Sequence, residues 1–317
     1  MALSALSQTV LVTEVAGWFR KRIGLATGIT ISGMGFAGLL IPIVSGLIDA
    51  YSWRIALVII GAVILVVCLP ASLVAIRRPE DAPDRLQRRD KPRRRTTTEP
   101  IGGYEPDISP RTAVKMKAFW HIAAAFFFHI FVMQAIITHI LPYLTSVEIT
   151  RTIGAFVAGA APLVSVAGRL TFGWLADKHE VKRILLICFF LVSLGILMLA
   201  FVSAQTIWLV VPYSIFFGLG YGGVFTLTAT WVASYFGRKR FGSIYGLVAG
   251  IPVAASVISP PLAGWFYDNY GHYQGFWFIL AALAMVSAIT IATAPPTTKP
   301  VVSGETRLST EQALSPK

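Results

Sequence analysis

The chain has 317 residues, of which 55% are hydrophobic and only 13% are charged, and its formal net charge is +12. A soluble domain of this length rarely hides so much apolar surface, so the composition indicates a membrane protein. The basic excess does not indicate a nucleic-acid partner, because the Lys and Arg residues lie between apolar runs rather than in one patch.

Nine apolar runs predict membrane-spanning helices, since about 20 residues cross the hydrocarbon core of a bilayer. The runs are residues 1–18, 24–48, 54–76, 116–145, 152–176, 183–203, 206–235, 242–266 and 274–294. Lipid offers the backbone no hydrogen bonds, so an all-α, polytopic membrane helical bundle is the expected fold. The predicted domains are a three-span part at 1–76, a basic cytoplasmic linker at 77–115, a six-helix half at 116–295 and a cytoplasmic tail at 296–317.

The basic residues lie in alternate connections between the predicted helices. Apart from Arg54, Arg151 and Arg169, all Lys and Arg lie at 20–22, 77–117, 178–183, 238–240 and in the tail. Loops rich in Lys and Arg stay on the cytoplasmic side of a membrane. We therefore expect a multi-pass protein of the cell (inner) membrane with a cytoplasmic C-terminus. Anionic lipid headgroups are sufficient partners for the basic loops.

A repeat divides the chain into two related parts. WFRKRIGLATGI at 18–29 matches YFGRKRFGSIYGL at 235–247, and further glycines, prolines and charges match in order. Two homologous halves packed against each other are typical of transporters. Four predicted spans precede the second copy within its half, whereas one precedes the first. Equivalent halves would therefore place three more helices before residue 1, which gives nine visible spans of an expected twelve.

The segment GRLTFGWLADKHEVKR, residues 168–183, ends an apolar run in a cluster of acid and base. Its part GWLADKHEVKR resembles the signature loop of the major facilitator superfamily, which has a glycine, an aspartate four residues later and then a basic cluster. The block WFRKRIGLATGITISGMGFAGLLIPIVSGLIDAYSWR, residues 18–54, is similar to monocarboxylate porters and their oxalate/formate-type relatives, as is GRLTFGWLAD. The resemblance covers essentially the whole chain, as helices four to twelve of a twelve-helix fold.

The resemblance implies a conformational latch in this loop, formed by Gly173, Asp177, Lys178, Lys182 and Arg183. The carboxylate of Asp177 can face the free N–H groups at the start of a neighbouring helix. By the packing of the family, that neighbour is the helix that begins near Gly24. The three basic residues can clasp acids or carbonyls of the other half. The alternative is a solvated turn whose charges only set the orientation in the membrane.

Arg169 is a functional candidate, because a charge at the bilayer centre costs at least about 2.5–3.5 kcal/mol. It lies eight residues before Asp177, about 12 Å along a helix axis. Its planar fork matches a carboxylate, and the resemblance implies an anion-binding role. A structural pairing with a carbonyl or an acid is the alternative. Ser165 stands where monocarboxylate porters have an acid, so proton coupling by an acid at this position is not expected. The run 242–266 lacks the lysine of oxalate-type porters, so one carboxylate is favoured over two.

Further candidate substrate contacts lie in the predicted helices 116–145 and 206–235, which the resemblance places around the central cavity together with 1–18. They are His129, Tyr143, Tyr221 and Thr226. His129 can carry a proton near neutral pH, or it can be a neutral residue bonded to a neighbouring helix. A threonine such as Thr226 often bonds its own helix instead of a ligand.

Together these features predict a secondary active transporter of a small organic anion, a monocarboxylate, by alternating access, with the proton as a candidate coupling ion. The alternative is a truncated, non-transporting membrane fragment or scaffold, which the three missing helices favour. An enzyme is not indicated, because the sequence has no zinc-protease motif, phosphate-binding loop or dinucleotide fingerprint. No cofactor, metal site or nucleic-acid partner is expected.

Overall fold

The computed structural model describes residues 23–75, 108–237 and 240–295, which form helices and connecting loops without a β-strand. The helices are α1 Ile23–Phe36, α2 Leu40–Ala50, α3 Trp53–Ala75, α4 Pro110–Ala113, α5 Lys117–Ser146, α6 Arg151–Ala176, α7 Val181–Ala200, α8 Val210–Phe236, α9 Phe241–Tyr270 and α10 Gln274–Ala292. The all-α class expected from the sequence is confirmed. The short helix α4 belongs to the predicted linker, while the rest of that linker before residue 108 and the tail 296–317 lie outside the described residues.

Seven helical segments of the described residues are long and apolar enough to cross a bilayer. They are Gly24–Ala50, which joins α1 and α2 through a short 3-10 turn, Lys117–Ser146, Arg151–Ala176, Val181–Ala200, Ile207–Phe236, Phe241–Tyr270 and Gln274–Ala292. The predicted span 54–76 begins as an apolar helix over Trp53–Val66, and the predicted span 1–18 lies outside the described residues. The count of nine spans out of twelve therefore stays a prediction.

Helix α9 is longer than the apolar run 242–266 that predicted it. It continues through a polar turn to Tyr270 and ends at Gly271, whose φ of 74° is left-handed. The N–H of Gly271 bonds the carbonyl of Tyr267, which closes the last turn. Glycine adopts this conformation without strain, so the glycine rather than the loss of apolar character ends the helix.

Helices α5 to α10 pack into one bundle with a buried apolar cluster toward each of its ends. Helix α6 lies between α8 on one side and the Gly24–Ala50 segment on the other. On the outside of the helices, large side chains such as Trp208, Val211 and Val257 are exposed. An apolar outer surface of this kind suits lipid better than water. The two faces of α6 thus connect the first part of the chain to the C-terminal bundle.

Candidate functional site

The two parts of the repeat meet where the Gly24–Ala50 segment packs on α6, a contact that we call the seam. Glycines let the two backbones touch there. A Cβ added to Gly173 would lie 2.6 Å from the carbonyl oxygen of Gly24, and one added to Gly28 would lie 2.6 Å from the carbonyl oxygen of Arg169. Small residues that allow such close approach are typical of helix interfaces in membranes. The seam therefore brings both Arg169 and the end of α6 against α1.

Asp177 follows the last residue of α6 and contacts the start of α1. Its Oδ1 accepts a hydrogen bond from the backbone N–H of Gly24 at 3.0 Å, and its Oδ2 accepts one from Leu25 at 3.3 Å. The first N–H groups of a helix have no partner within the helix and carry partial positive charge. The contact joins the two elements that the sequence analysis paired, while its action as a latch stays a prediction.

Among the described residues, the contacts of the three basic residues of the predicted latch lie within their own half, which differs from the expectation that they clasp the other half. The Nζ of Lys178 lies 3.7 Å from the ring centre of Trp174. The Nζ of Lys182 donates to the carbonyl of Ala294 at 2.9 Å, beyond the end of α10. Arg183 pairs with Glu180 at 2.9 Å, and both side chains are exposed. Lys182 stays in its own half because the carbonyls at a helix C-terminus attract a cation.

An ion pair joins the two parts of the chain at the opposite end of the seam. Nη1 of Arg151, the first residue of α6, lies 3.3 Å from Oδ1 of Asp49, near the end of α2. Both side chains are about half exposed, so the pair contributes at most about 1 kcal/mol. The sequence analysis missed this contact, because opposite charges on two distant helices predict an ion pair only after the register of the seam is known.

Arg169 lies within the seam and is 0% exposed. Its Nη1 donates a hydrogen bond to the carbonyl of Ile31 on α1 at 2.6 Å. Its Nε and Nη2 have no hydrogen-bond partner among the residues that the structure describes. These two nitrogens form one edge of the guanidinium, which can donate two parallel hydrogen bonds to a carboxylate. A buried donor without a partner costs about 1–3 kcal/mol or more, so this edge is a candidate ligand-binding group.

Aromatic rings of α8 surround the guanidinium of Arg169. Its Cζ lies 5.6 Å from the ring centre of Tyr221 and 5.8 Å from that of Phe225, both within range of a cation–π interaction. Tyr221 and Phe225 are four residues apart, so they lie on one face of α8. The sequence analysis named Tyr221 and missed Phe225, although this spacing could have indicated it.

His129 of α5 contacts the same aromatic group. Its ring lies 6.4 Å from that of Tyr221 in a stacked arrangement, and 5.6 Å from that of Phe189 on α7 in an edge-to-face arrangement. The residue is 1% exposed, and neither ring nitrogen has a hydrogen-bond partner in the described part of the chain. The structure therefore does not provide the helix neighbour that would bond a purely structural histidine. Arg169, Tyr221 and His129 form one cluster, which we call the central cluster.

Two predicted substrate contacts are placed differently. Tyr143 donates its hydroxyl to the carbonyls of Leu199 and Val202 at 2.8 and 2.9 Å, so it closes the C-terminal end of α7. It lies 14 residues beyond His129 on α5, about 21 Å along the axis, which corrects the expectation that it joins the other contacts. The hydroxyl of Thr226 donates to the carbonyl of Gly222 one turn earlier. Thr226 nevertheless lies beside the seam, because a Cβ on Gly28 would be 3.6 Å from its methyl group.

Comparison with known families decides where this architecture belongs. Residues 1–171 and, again, residues 140–316 match the family model of the Major Facilitator Superfamily. The chain belongs to this superfamily. The two overlapping matches agree with the internal repeat. The family and the relatives below are transporters, so the chain is a multi-pass membrane protein and not an enzyme, as predicted.

Curated relatives of the chain are named monocarboxylate transporters. Monocarboxylate transporter 12 of Mus musculus is 29% identical over 301 residues, which covers 89% of this chain and 61% of that protein. Monocarboxylate transporter 2 of Homo sapiens is 23% identical over 299 residues, which covers 88% of this chain and 60% of that protein. The chain thus spans about three-fifths of the length of these relatives. Both comparisons agree with the monocarboxylate-porter resemblance read from the sequence.

A solved structure supports the fold. The crystal structure of the fucose:proton symporter of E. coli aligns with a TM-score of 0.50 at 13% sequence identity, over 93% of this chain and 92% of that chain. At this identity the likeness concerns the fold alone. It confirms that the helical bundle described above has the architecture of the superfamily.

Proposed function

We propose that the protein is a secondary active transporter of a small organic anion with one carboxylate, and that it works by alternating access. The observation that carries the proposal is the buried, unpartnered Nε–Nη2 edge of Arg169. A guanidinium in an apolar bundle is costly unless something pairs with it. A carboxylate would satisfy both free donors at once, while the bond from Nη1 to Ile31 keeps the edge oriented.

The composition of the central cluster favours one carboxylate on a short, mostly apolar skeleton. Among the described residues that are buried, Arg169 is the single Lys or Arg, so one fixed positive charge faces the substrate. Beside it, the rings of Tyr221 and Phe225 offer apolar and π surface, and Tyr221 also carries a hydroxyl close to the guanidinium. The names of the curated relatives support the same substrate class.

The seam supports the mechanism. Helix α6 carries Arg169 in its interior, meets Asp177 at one end and carries Arg151 at the other, and all three residues contact the first part of the chain. A rocking movement of one half against the other would first break the contact at one end of the seam. It would then expose Arg169 to the side of the membrane on which that end lies. The Asp177 contact would then act as a latch for the conformation described above.

The orientation follows from the basic loops. With Lys and Arg concentrated in alternate connections, the protein would lie in the cell (inner) membrane with a cytoplasmic C-terminus, and anionic lipids would contact these loops. On this orientation the Asp177 end of the seam is cytoplasmic and the Arg151 end is outside.

The test is uptake of labelled lactate and pyruvate into proteoliposomes that contain the purified full chain. Arg169→Lys keeps the charge but loses the two-donor edge, so uptake should fall about ten- to hundredfold, the equivalent of one charged hydrogen bond of about 1.5–3 kcal/mol. Arg169→Ala should take up no more than empty vesicles. Arg111→Lys, an exposed arginine of α4, is the matched control and should transport like the unchanged protein.

The two parts of the proposal fail in different ways. Uptake by Arg169→Ala at the level of the unchanged protein would reject the anion-binding role of Arg169. Absence of uptake by the unchanged protein, with all variants monodisperse in detergent, would reject transport by this chain and favour a non-transporting membrane scaffold.

A further inference from the structure

His129 is a buried polar side chain that lacks the contacts such side chains ordinarily have. Nδ1 and Nε2 both lie without a hydrogen-bond partner, although a neutral imidazole has one donor and one acceptor to satisfy. Tyr143 and Ser259, by contrast, donate their hydroxyls to backbone carbonyls of the same bundle. The lone pair and the N–H of His129 are therefore available for a ligand or for a proton.

His129 and Arg169 are connected through one ring. Tyr221 lies 6.4 Å from the His129 ring, measured between ring centres, and 5.6 Å from Cζ of Arg169. Both residues beside the Tyr221 ring have nitrogens without a hydrogen-bond partner. His129 comes from α5 and Arg169 from α6, and both contact this ring of α8. Both side chains are buried, so a change of charge at one residue changes the electrostatic free energy of the other with little screening by solvent.

Within the part of the chain that the structure describes, the groups that face His129 from the surrounding helices include no carboxylate. Helix α8 presents Tyr221, α6 presents Arg169 beyond it, and α7 presents Phe189 next to the buried thiol of Cys188. Between α9 and α5 the polar contacts are the Ser259 hydroxyl, which donates to the carbonyl of Phe131, and the carbonyl of Pro260, which bonds His139. Helix α10 has no Asp, Glu, Lys, Arg or His. Every Asp and Glu among the described residues is exposed. His129 is therefore the buried side chain of this region that has a nitrogen lone pair free to take up a proton.

We propose that His129 binds the proton that accompanies the anion, so that proton binding at His129 and carboxylate binding at Arg169 favour each other. The inference rests on the proposed function. With the site empty, a charged imidazole would add a second cation to the buried Arg169 and would have no counter-charge. A carboxylate on the Nε–Nη2 edge supplies that counter-charge. Because such linkage is reciprocal, a proton on His129 strengthens anion binding by the same factor.

Ser165, one turn before Arg169, does not provide an alternative proton site. Its hydroxyl donates to the carbonyl of Pro162 in its own helix, and a serine does not titrate near neutral pH. The proton and the anion would therefore enter the central cluster on two different helices, α5 and α6, with Tyr221 of α8 between their contacts.

Calorimetric titration of the purified full chain with lactate tests the inference without requiring transport. Titrations in buffers of different ionisation enthalpy give both the affinity and the number of protons taken up with each anion. The unchanged protein should take up protons, and its affinity should rise by up to tenfold for each pH unit lowered within the linked range. His129→Gln should bind lactate with no proton uptake and no pH dependence. His121→Gln, on the same helix and bonded to Lys117, is the control.

Each outcome decides one of the two proposals. Proton uptake by His129→Gln equal to that of the unchanged protein, or anion binding by the unchanged protein with no protons, would overturn the role of His129 and leave the anion site intact. Failure of the unchanged protein to bind either lactate or pyruvate would instead reject the proposed function. His129→Phe keeps an aromatic ring among Phe126, Phe189 and Tyr221, so its agreement with His129→Gln excludes a folding defect as the cause.

Discussion

Replacing Asp177 by asparagine should loosen the seam without unfolding the bundle. The carboxylate accepts two hydrogen bonds at the start of α1, one partly buried from Gly24 and one exposed from Leu25. A charge at a helix terminus contributes about 0.3–1 kcal/mol when exposed and up to about 2 kcal/mol when partly buried. Asparagine keeps one acceptor oxygen and loses the charge. We therefore expect Asp177→Asn to destabilise the closed seam by about 1–2 kcal/mol, which raises the ratio of open to closed seam about five- to thirtyfold.

A buried residue of α1 can report that change. Ser32 is 7% exposed, and it lies one helical turn beyond Gly28, on the face of α1 that packs on α6 and α8. A cysteine at this position, in a background with Cys68→Ser and Cys188→Ala, should react with N-ethylmaleimide only when the seam opens. Adding Asp177→Asn should raise the labelling rate five- to thirtyfold.

The matched control is Glu180→Gln, which removes a carboxylate from the same loop that pairs with the exposed Arg183 rather than with α1. Its labelling rate should stay within a factor of two of the background, since exposed pairs contribute about 0–1 kcal/mol. Equal labelling of the Asp177→Asn and Glu180→Gln proteins would refute the reasoning, because loss of the carboxylate that contacts α1 would then have no effect of its own on the seam.

Three further substitutions test the packing of the seam, the hydrogen bonds of Tyr143 at the end of α7, and the ion pair between Arg151 and Asp49. Gly38→Ala adds a methyl group where the backbone of α6 already touches, so thermal unfolding should report a loss of about 1–3 kcal/mol, whereas Gly46→Ala, which meets open space, should be close to neutral. Tyr143→Phe should lower the thermal stability by about 1–3 kcal/mol and leave lactate affinity unchanged; a weaker affinity would restore Tyr143 as a substrate contact. Arg151→Gln should change uptake less than fivefold, and salt should reduce even that difference; a larger, salt-independent effect would contradict a weak exposed pair.

The helical architecture was largely readable from the sequence, because lipid allows few alternatives. Six predicted runs after residue 115 correspond to six helices of the structure. The errors lie at the helix ends. For α9, the predicted run stops at residue 266, where polar residues begin, whereas the helix continues to Tyr270. Hydropathy detects the edge of the bilayer core, whereas the helix ends at Gly271, where the backbone turns left-handed.

The central cluster was predictable only in part. An arginine inside an apolar run marks Arg169 from sequence alone. Which of its nitrogens stay free depends on the carbonyl of Ile31, 138 positions away in the chain, and no local pattern encodes that pairing. The same limit explains why Lys182 was assigned to the wrong half: its position at the start of α7 was predictable, but its neighbour at the end of α10 was not.

The positions of these groups along α6 suggest how binding and movement are coupled. Arg169 on α6 and Asp177, directly after the end of α6, lie eight residues apart, and each bonds a backbone group of α1. A shift of α1 that frees the Asp177 carboxylate would therefore also strain the Nη1 bond that orients the edge proposed to bind the anion. By reciprocity, an anion on that edge stabilises the closed seam. Lactate should consequently slow the labelling of a cysteine at position 32, and it should slow it less when Arg169 is lysine.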